Sequence, residues 1–147
     1  MPSFTLSKEW YQMNRVDAVY IRTSEIMADP LFTKFTNIHQ TNFSFWYVQN
    51  KTKSILLTTP LEAKTIRKEY KKAQTIEKKE DIIKKLKPFF QNKTVGINED
   101  YLTATQLREL KKTFQKTKWK NISKPLNETR KTKTREEIKK IQKQPNG

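Results

Sequence analysis

The sequence predicts an α/β domain built on a mixed β-sheet, and three observations carry that prediction. Aromatic and β-branched residues crowd the stretch 42–58, helical and strand-like patterns alternate after it, and apolar groups lie on both faces of the inner runs. Residues 16–21 (VDAVYI) read as a strand covered on both sides. Residues 42–49 (NFSFWYVQ) read as a second, with Phe43, Phe45 and Tyr47 on one face and Trp46 and Val48 on the other, an arrangement that core packing explains. Asn50 and Lys51 supply a turn into a third strand at 54–58, so the two pair antiparallel. Thr59-Pro60-Leu61-Glu62 spells a helix start, with Thr as cap, Pro in the first position and Glu reaching back. That helix is expected to run to about residue 72, burying Ala63, Ile66 and Tyr70.

A short strand is expected near 74–76. Ile82, Ile83, Leu86, Phe89 and Phe90 then mark a helix that Pro88 should end or bend near Lys87. Residues 94–98 form a short strand. Thr103 and Gln106 open the next helix as a capping box, with Leu102 and Leu107 placed as a hydrophobic staple and Leu107, Leu110 and Phe114 facing inward. Residues 118–122 make a last, edge strand. Beyond Pro125 only Leu126, Ile138 and Ile141 are substantial apolar groups, although residues 134–137 have the grammar of a helix cap. The expected division is a domain over residues 1–125 and a connector over 126–147.

Composition narrows the function. The chain has 147 residues, no Cys, one His and two Gly, which excludes disulfides, thiolate metal sites and Gly-rich phosphate loops. No run approaches the roughly 20 apolar residues of a membrane helix, so no membrane partner and a cytoplasmic setting are expected. Lys and Arg number 31 against 15 Asp and Glu, a net charge of +16 concentrated after residue 63. Only six of the 31 are Arg, the residue of specific phosphate and base recognition. Weak, salt-sensitive, non-specific binding to nucleic acid or other polyanions is what such a surface implies, and a stand-alone basic module is the alternative functional reading.

No self-contained active site emerges. His39 has Asn37, Gln40, Thr41 and Asn42 for neighbours and no carboxylate to orient it. Glu9 with Asp17, or Glu25 with Asp29, have the composition of an acid/base pair but no specific spacing. Asn98-Glu99-Asp100 precedes a helix start and is explained by capping.

The order of segments resembles a known family. A short helix, the strand at 16–21, the stretch from Asp29-Pro30-Leu31-Phe32 to Thr36-Asn37-Ile38, the aromatic hairpin and Leu56-Leu57-Thr58-Thr59-Pro60-Leu61-Glu62 are similar to the N-terminal domain of creatinase and the Xaa-Pro peptidases, prolidase and aminopeptidase P. Val95-Gly96-Ile97-Asn98 resembles that domain's next landmark, and the segment from Leu126-Asn127-Glu128-Thr129-Arg130 to Glu137-Ile138 resembles its lead into a catalytic domain. The resemblance implies a ribonuclease H-like mixed sheet of about five to six strands flanked by helices. It also implies a non-catalytic role in dimer formation and in shaping substrate access. Partners would be a second copy or a peptidase catalytic domain. Cofactors are expected to be absent from this chain, with divalent metal ions only in a catalytic domain that the sequence does not contain. One loop can be carried over as a possible substrate-access element, with Asn37, His39 and Thr41 as its candidate residues. Thr36-Asn37-Ile38 stands where the family usually has a Thr-Gly pattern.

Overall fold

Among the described residues six strands form one sheet: β1 (Ala18–Thr23), β2 (Phe45–Asn50), β3 (Ser54–Thr58), β4 (Gln74–Thr75), β5 (Thr94–Ile97) and β6 (Lys118–Asn121), in the order β4-β3-β2-β1-β5-β6. The computed structural model describes residues 5–24, 29–38, 44–66, 74–76 and 78–129. β2 pairs antiparallel with both neighbours while β3–β4, β1–β5 and β5–β6 are parallel, so β2 alone runs against the rest. The mixed, helix-flanked sheet expected from sequence is the sheet observed. The β2–β3 hairpin pairs Val48 with Ile55 and Gln49 with Ser54. Its turn is held by the Asn50 carboxamide, which accepts from the backbone N–H groups of Thr52 (2.9 Å) and Lys53 (2.8 Å).

Alternation along the inner strands divides the core in two. Val19 and Ile21 with Phe45, Tyr47 and Leu56 face one side, and Ala18 and Tyr20 with Val48 and Leu57 face the other. The first side is covered by α1 (Lys8–Asn14), α2 (Pro30–Thr36), α3 (Pro60–Ile66) and α6 (Ser123–Thr129). The second is covered by α4 (Lys79–Phe90) and α5 (Ala104–Thr113). Phe32 stacks on Phe45 at 4.8 Å and Phe35 on Tyr47 at 5.8 Å on the first side. On the second, Phe90 meets Tyr20, Phe114 and Trp119 edge-on.

Local grammar explains most element ends. Ser7 caps α1, its hydroxyl accepting from Trp10 N–H at 3.1 Å. The capping box of α5 is complete, with Thr103 and Gln106 exchanging 3.0 Å bonds. Leu102 and Leu107 both pack on the second core, as the staple requires. In α3, Ala63 N–H donates to Thr59 O at 3.0 Å, which puts Thr59 at the cap position and Pro60 first in the helix. Ala63 and Ile66 are buried; Phe43, Tyr70 and the expected continuation of this helix to residue 72 lie outside the described residues.

Three features depart from the sequence reading. Pro88 does not end α4, which continues to Phe90. Its ring removes one backbone donor, but Phe89 and Phe90 are buried beyond it, and two aromatic anchors outweigh a single lost bond. Residues 30–36, not assigned as helix from sequence, form α2 with Asp29 as cap, Pro30 in the first position and Leu31 N–H donating to Asp29 Oδ1 at 2.9 Å. α6 is the third. The boundary drawn after residue 125 falls inside this helix, and Leu126, read as part of a connector, is fully buried in the first core. Ile122 and Leu126 are four apart and share a face, and Pro125 sits where a helix has no internal acceptor for a donor, so it costs nothing. Gly96 lets this happen: a Cβ there would come within 2.9 Å of Ile122 Cγ1, so only a glycine strand residue admits α6's lead residue this close. The possible helix at 134–137, and Ile138 and Ile141, lie outside the described residues.

Candidate functional site

Of the three residues of the expected access loop, Asn37 is described and His39 and Thr41 lie outside the described residues. Asn37 closes α2 in the left-handed conformation (φ 60°, ψ 23°), its N–H donating to Thr33 O at 2.7 Å. This is the backbone region a Gly enters freely and Asn tolerates better than other side chains, so Asn37 suits its place at the end of α2. Leu31, Phe32 and Phe35 pin α2 into the first core, and the chain therefore leaves it from a fixed point.

The other described sequence candidates resolve as structure, while Glu25 lies outside the described residues. Asn98 caps the 3-10 turn Glu99–Tyr101, accepting from Asp100 N–H at 3.1 Å and donating to Asn127 Oδ1 at 3.1 Å. Asn127 in turn donates to Asp100 Oδ2 at 3.0 Å, so this polar cluster ties β5 to α6 and its members bond one another. Asp17 accepts from Thr94 N–H at 2.9 Å, joining β5 to the approach of β1. Glu9 lies in the first turn of α1 and Asp29 caps α2, so each carboxylate has a helix-terminal role. Among the described residues no group of three His, Asp or Glu side chains converges as a metal site would require. Nor is any helix among them long and apolar enough to cross a membrane.

The feature that sequence reasoning missed lies on the second side of the sheet, between α4 and α5. A cavity of about 460 Å³ is walled by Trp46, Ile82, Ile83, Leu102 and Leu110, with Arg22 among its lining. β1 alternation puts Arg22 on the same face as Ala18 and Tyr20, at the strand's carboxyl end. Its guanidinium lies 4.1 Å above the Trp46 ring. Nη1 donates to Phe45 O at 3.1 Å and to Thr23 O, while Nε and Nη2 make no hydrogen bond among the described residues. Burial lowers the Arg22 pKa from its ordinary value, opposed by its interaction with Tyr20. The available signal was a lone Arg at the end of an otherwise apolar strand. A smaller hollow of about 310 Å³ is rimmed by Lys87, Lys112 and Lys116, the first two in the last turns of α4 and α5, where cations offset the helix dipole.

A sheet with one reversed strand and helices on both faces defines a mixed α/β domain. The chain belongs to the creatinase/prolidase N-terminal domain family, whose model matches residues 32–132. The X-Pro aminopeptidase of Thermotoga maritima superposes with a TM-score of 0.74 at 16% identity, over 91% of this chain and 38% of that one. The prolidase of Pyrococcus furiosus gives 0.67 at 20% identity, over 89% of this chain and 38% of that one. The N-terminal domain of an X-Pro dipeptidase from Streptococcus pyogenes gives 0.64 at 13% identity, over 82% of this chain and 92% of that one. The chain thus spans about two fifths of the two longer enzymes and corresponds to nearly all of the separate domain. No curated protein sequence matches it.

Proposed function

We propose that this chain is the accessory domain of an Xaa-Pro metallopeptidase, without hydrolytic activity of its own. It pairs with a second copy or with a peptidase catalytic domain and shapes the approach of substrate to an active site held there. The supporting observation is the correspondence of its sheet and helices with a domain that accounts for 38% of the Thermotoga enzyme and 92% of the separate Streptococcus pyogenes domain. On this reading divalent metals belong to the catalytic domain, this chain carries no cofactor, and the setting is the cytoplasm. Asn37, His39 and Thr41 contribute the loop that faces the partner's active site; the anchoring of α2 by three buried side chains supports that role, because a loop that guides substrate must leave from a rigid base.

Purified chain incubated with Xaa-Pro dipeptides and manganese, cobalt or zinc is expected to give no turnover, and sedimentation is expected to show self-association or binding to a prolidase-type catalytic domain. Metal-dependent hydrolysis that a chelator abolishes, and that stays with the protein through further purification, would overturn the accessory role. A monomer at every concentration that also ignores the catalytic domain would overturn the pairing.

A further inference from the structure

The cavity between α4 and α5 is a different place from the loop assigned above, and its chemistry is unlike that of a bare apolar groove. Its walls are Trp46, Ile82, Ile83, Leu102 and Leu110, yet two charged groups lie among its lining, the half-buried Arg22 and the exposed Glu109. Arg22 is half-buried, is held in place by two backbone carbonyls and the Trp46 ring, and pairs with no carboxylate among the described residues. Two carbonyl bonds and a ring face fix the guanidinium without neutralising it. Its free Nε–H and Nη2–H groups form the fork that binds a carboxylate bidentately. The volume lies at the small end of the range for pockets that enclose small organic ligands, which are apolar sites with a few placed polar groups.

We propose that this groove binds a small amphipathic carboxylate, its apolar body between α4 and α5 and its carboxylate on Arg22. A neutral ligand of the same shape would leave the guanidinium half-desolvated and uncompensated, and a cationic one would meet it directly. The surplus positive charge of the chain draws anions toward the site, while the apolar walls select those that carry a hydrocarbon or aromatic body.

Octanoate, 1-octanol and octylamine share a chain and differ in head group, which makes them suitable probes. Octanoate is expected to shift the Trp46 indole and the Ile82 and Ile83 methyl resonances, and to bind at least about tenfold tighter than 1-octanol, with octylamine weakest. In Arg22→Gln the difference between octanoate and 1-octanol should shrink to about threefold or less, whereas Lys112→Gln, which removes an equal charge elsewhere, should leave it intact. Ile83→Phe, at a partly exposed position, should fill the groove and abolish binding of all three. If Arg22→Gln fails to fold, Ile83→Phe and the head-group series on the unaltered chain decide the matter. Equal binding of octanoate and 1-octanol, shifts confined to lysine-rich surfaces, or octanoate binding unchanged in Ile83→Phe would each overturn the proposal.

Discussion

Gln49 is a polar side chain at 3% exposure in the middle of the first core, and three groups depend on it. Leu6 N–H donates to its Oε1 at 2.8 Å, Tyr11 OH donates to the same oxygen at 3.2 Å, and its Nε2 donates to Tyr47 OH at 2.8 Å. The carboxamide thereby fastens α1 and the segment before it to β2. Gln49→Leu keeps the volume but leaves those partners buried without it, and it should cost about 2–4 kcal/mol in urea unfolding. A loss under about 0.5 kcal/mol would show that the network is dispensable. Nothing in the sequence marks this residue: a Gln at the end of an aromatic strand reads as an exposed terminus, and only the arrival of α1 from 38 positions away makes it a hub. Asn37 was legible as a site of departure from the family pattern, but its left-handed backbone became visible only in three dimensions.

Elements defined by their own residues were readable, and those defined by neighbours were not. The hairpin, α5 and its capping box, and the inner faces of α4 and α5 follow from alternation, spacing and caps within a dozen residues. α2 carried the same Asp-Pro start that identified α3 through Thr-Pro, yet its apolar residues sit too densely for a helical stripe to stand out from a strand. The groove depends on residues from β1, β2, α4 and α5, so no local window reveals it. α6 is the clearest case, because its amphipathic stripe is just Ile122 and Leu126, and its stability comes from the space that Gly96 leaves on β5. Leu126→Ala should therefore behave as a core truncation rather than a change in a connector, costing about 2–5 kcal/mol with an unchanged denaturant slope. A cost near zero would return residues 126–129 to the linker.

Across the whole molecule, burial and charge set the response to pH. Desolvation raises the Tyr20 pKa well above the usual tyrosine value, only partly offset by Arg22, so the folded chain keeps that proton where the unfolded chain releases it near pH 10. Above about pH 10 the unfolded state binds fewer protons, and the stability that is fully present below this point falls as pH climbs toward the folded-state value. Lysines lose their charge in the same interval and relieve the self-repulsion of a +16 chain, which masks the effect in a single melting curve. Comparison with Tyr20→Phe removes the mask. Between about pH 8 and about pH 11 the Tm of the variant should rise relative to that of the parent, and a constant difference would contradict the assignment.

The two ends of the sheet bear on the chain's fate at high concentration. β4 contributes two residues at one end, and β6 at the other carries Lys118 and Lys120, both exposed, on either side of Trp119. A second chain that tried to continue the ladder would find, among the described residues, only a two-residue template at the first edge and would have to dehydrate two ammonium groups at the second. Fibrillar growth by strand addition to the described part of the sheet is thus disfavoured at both margins.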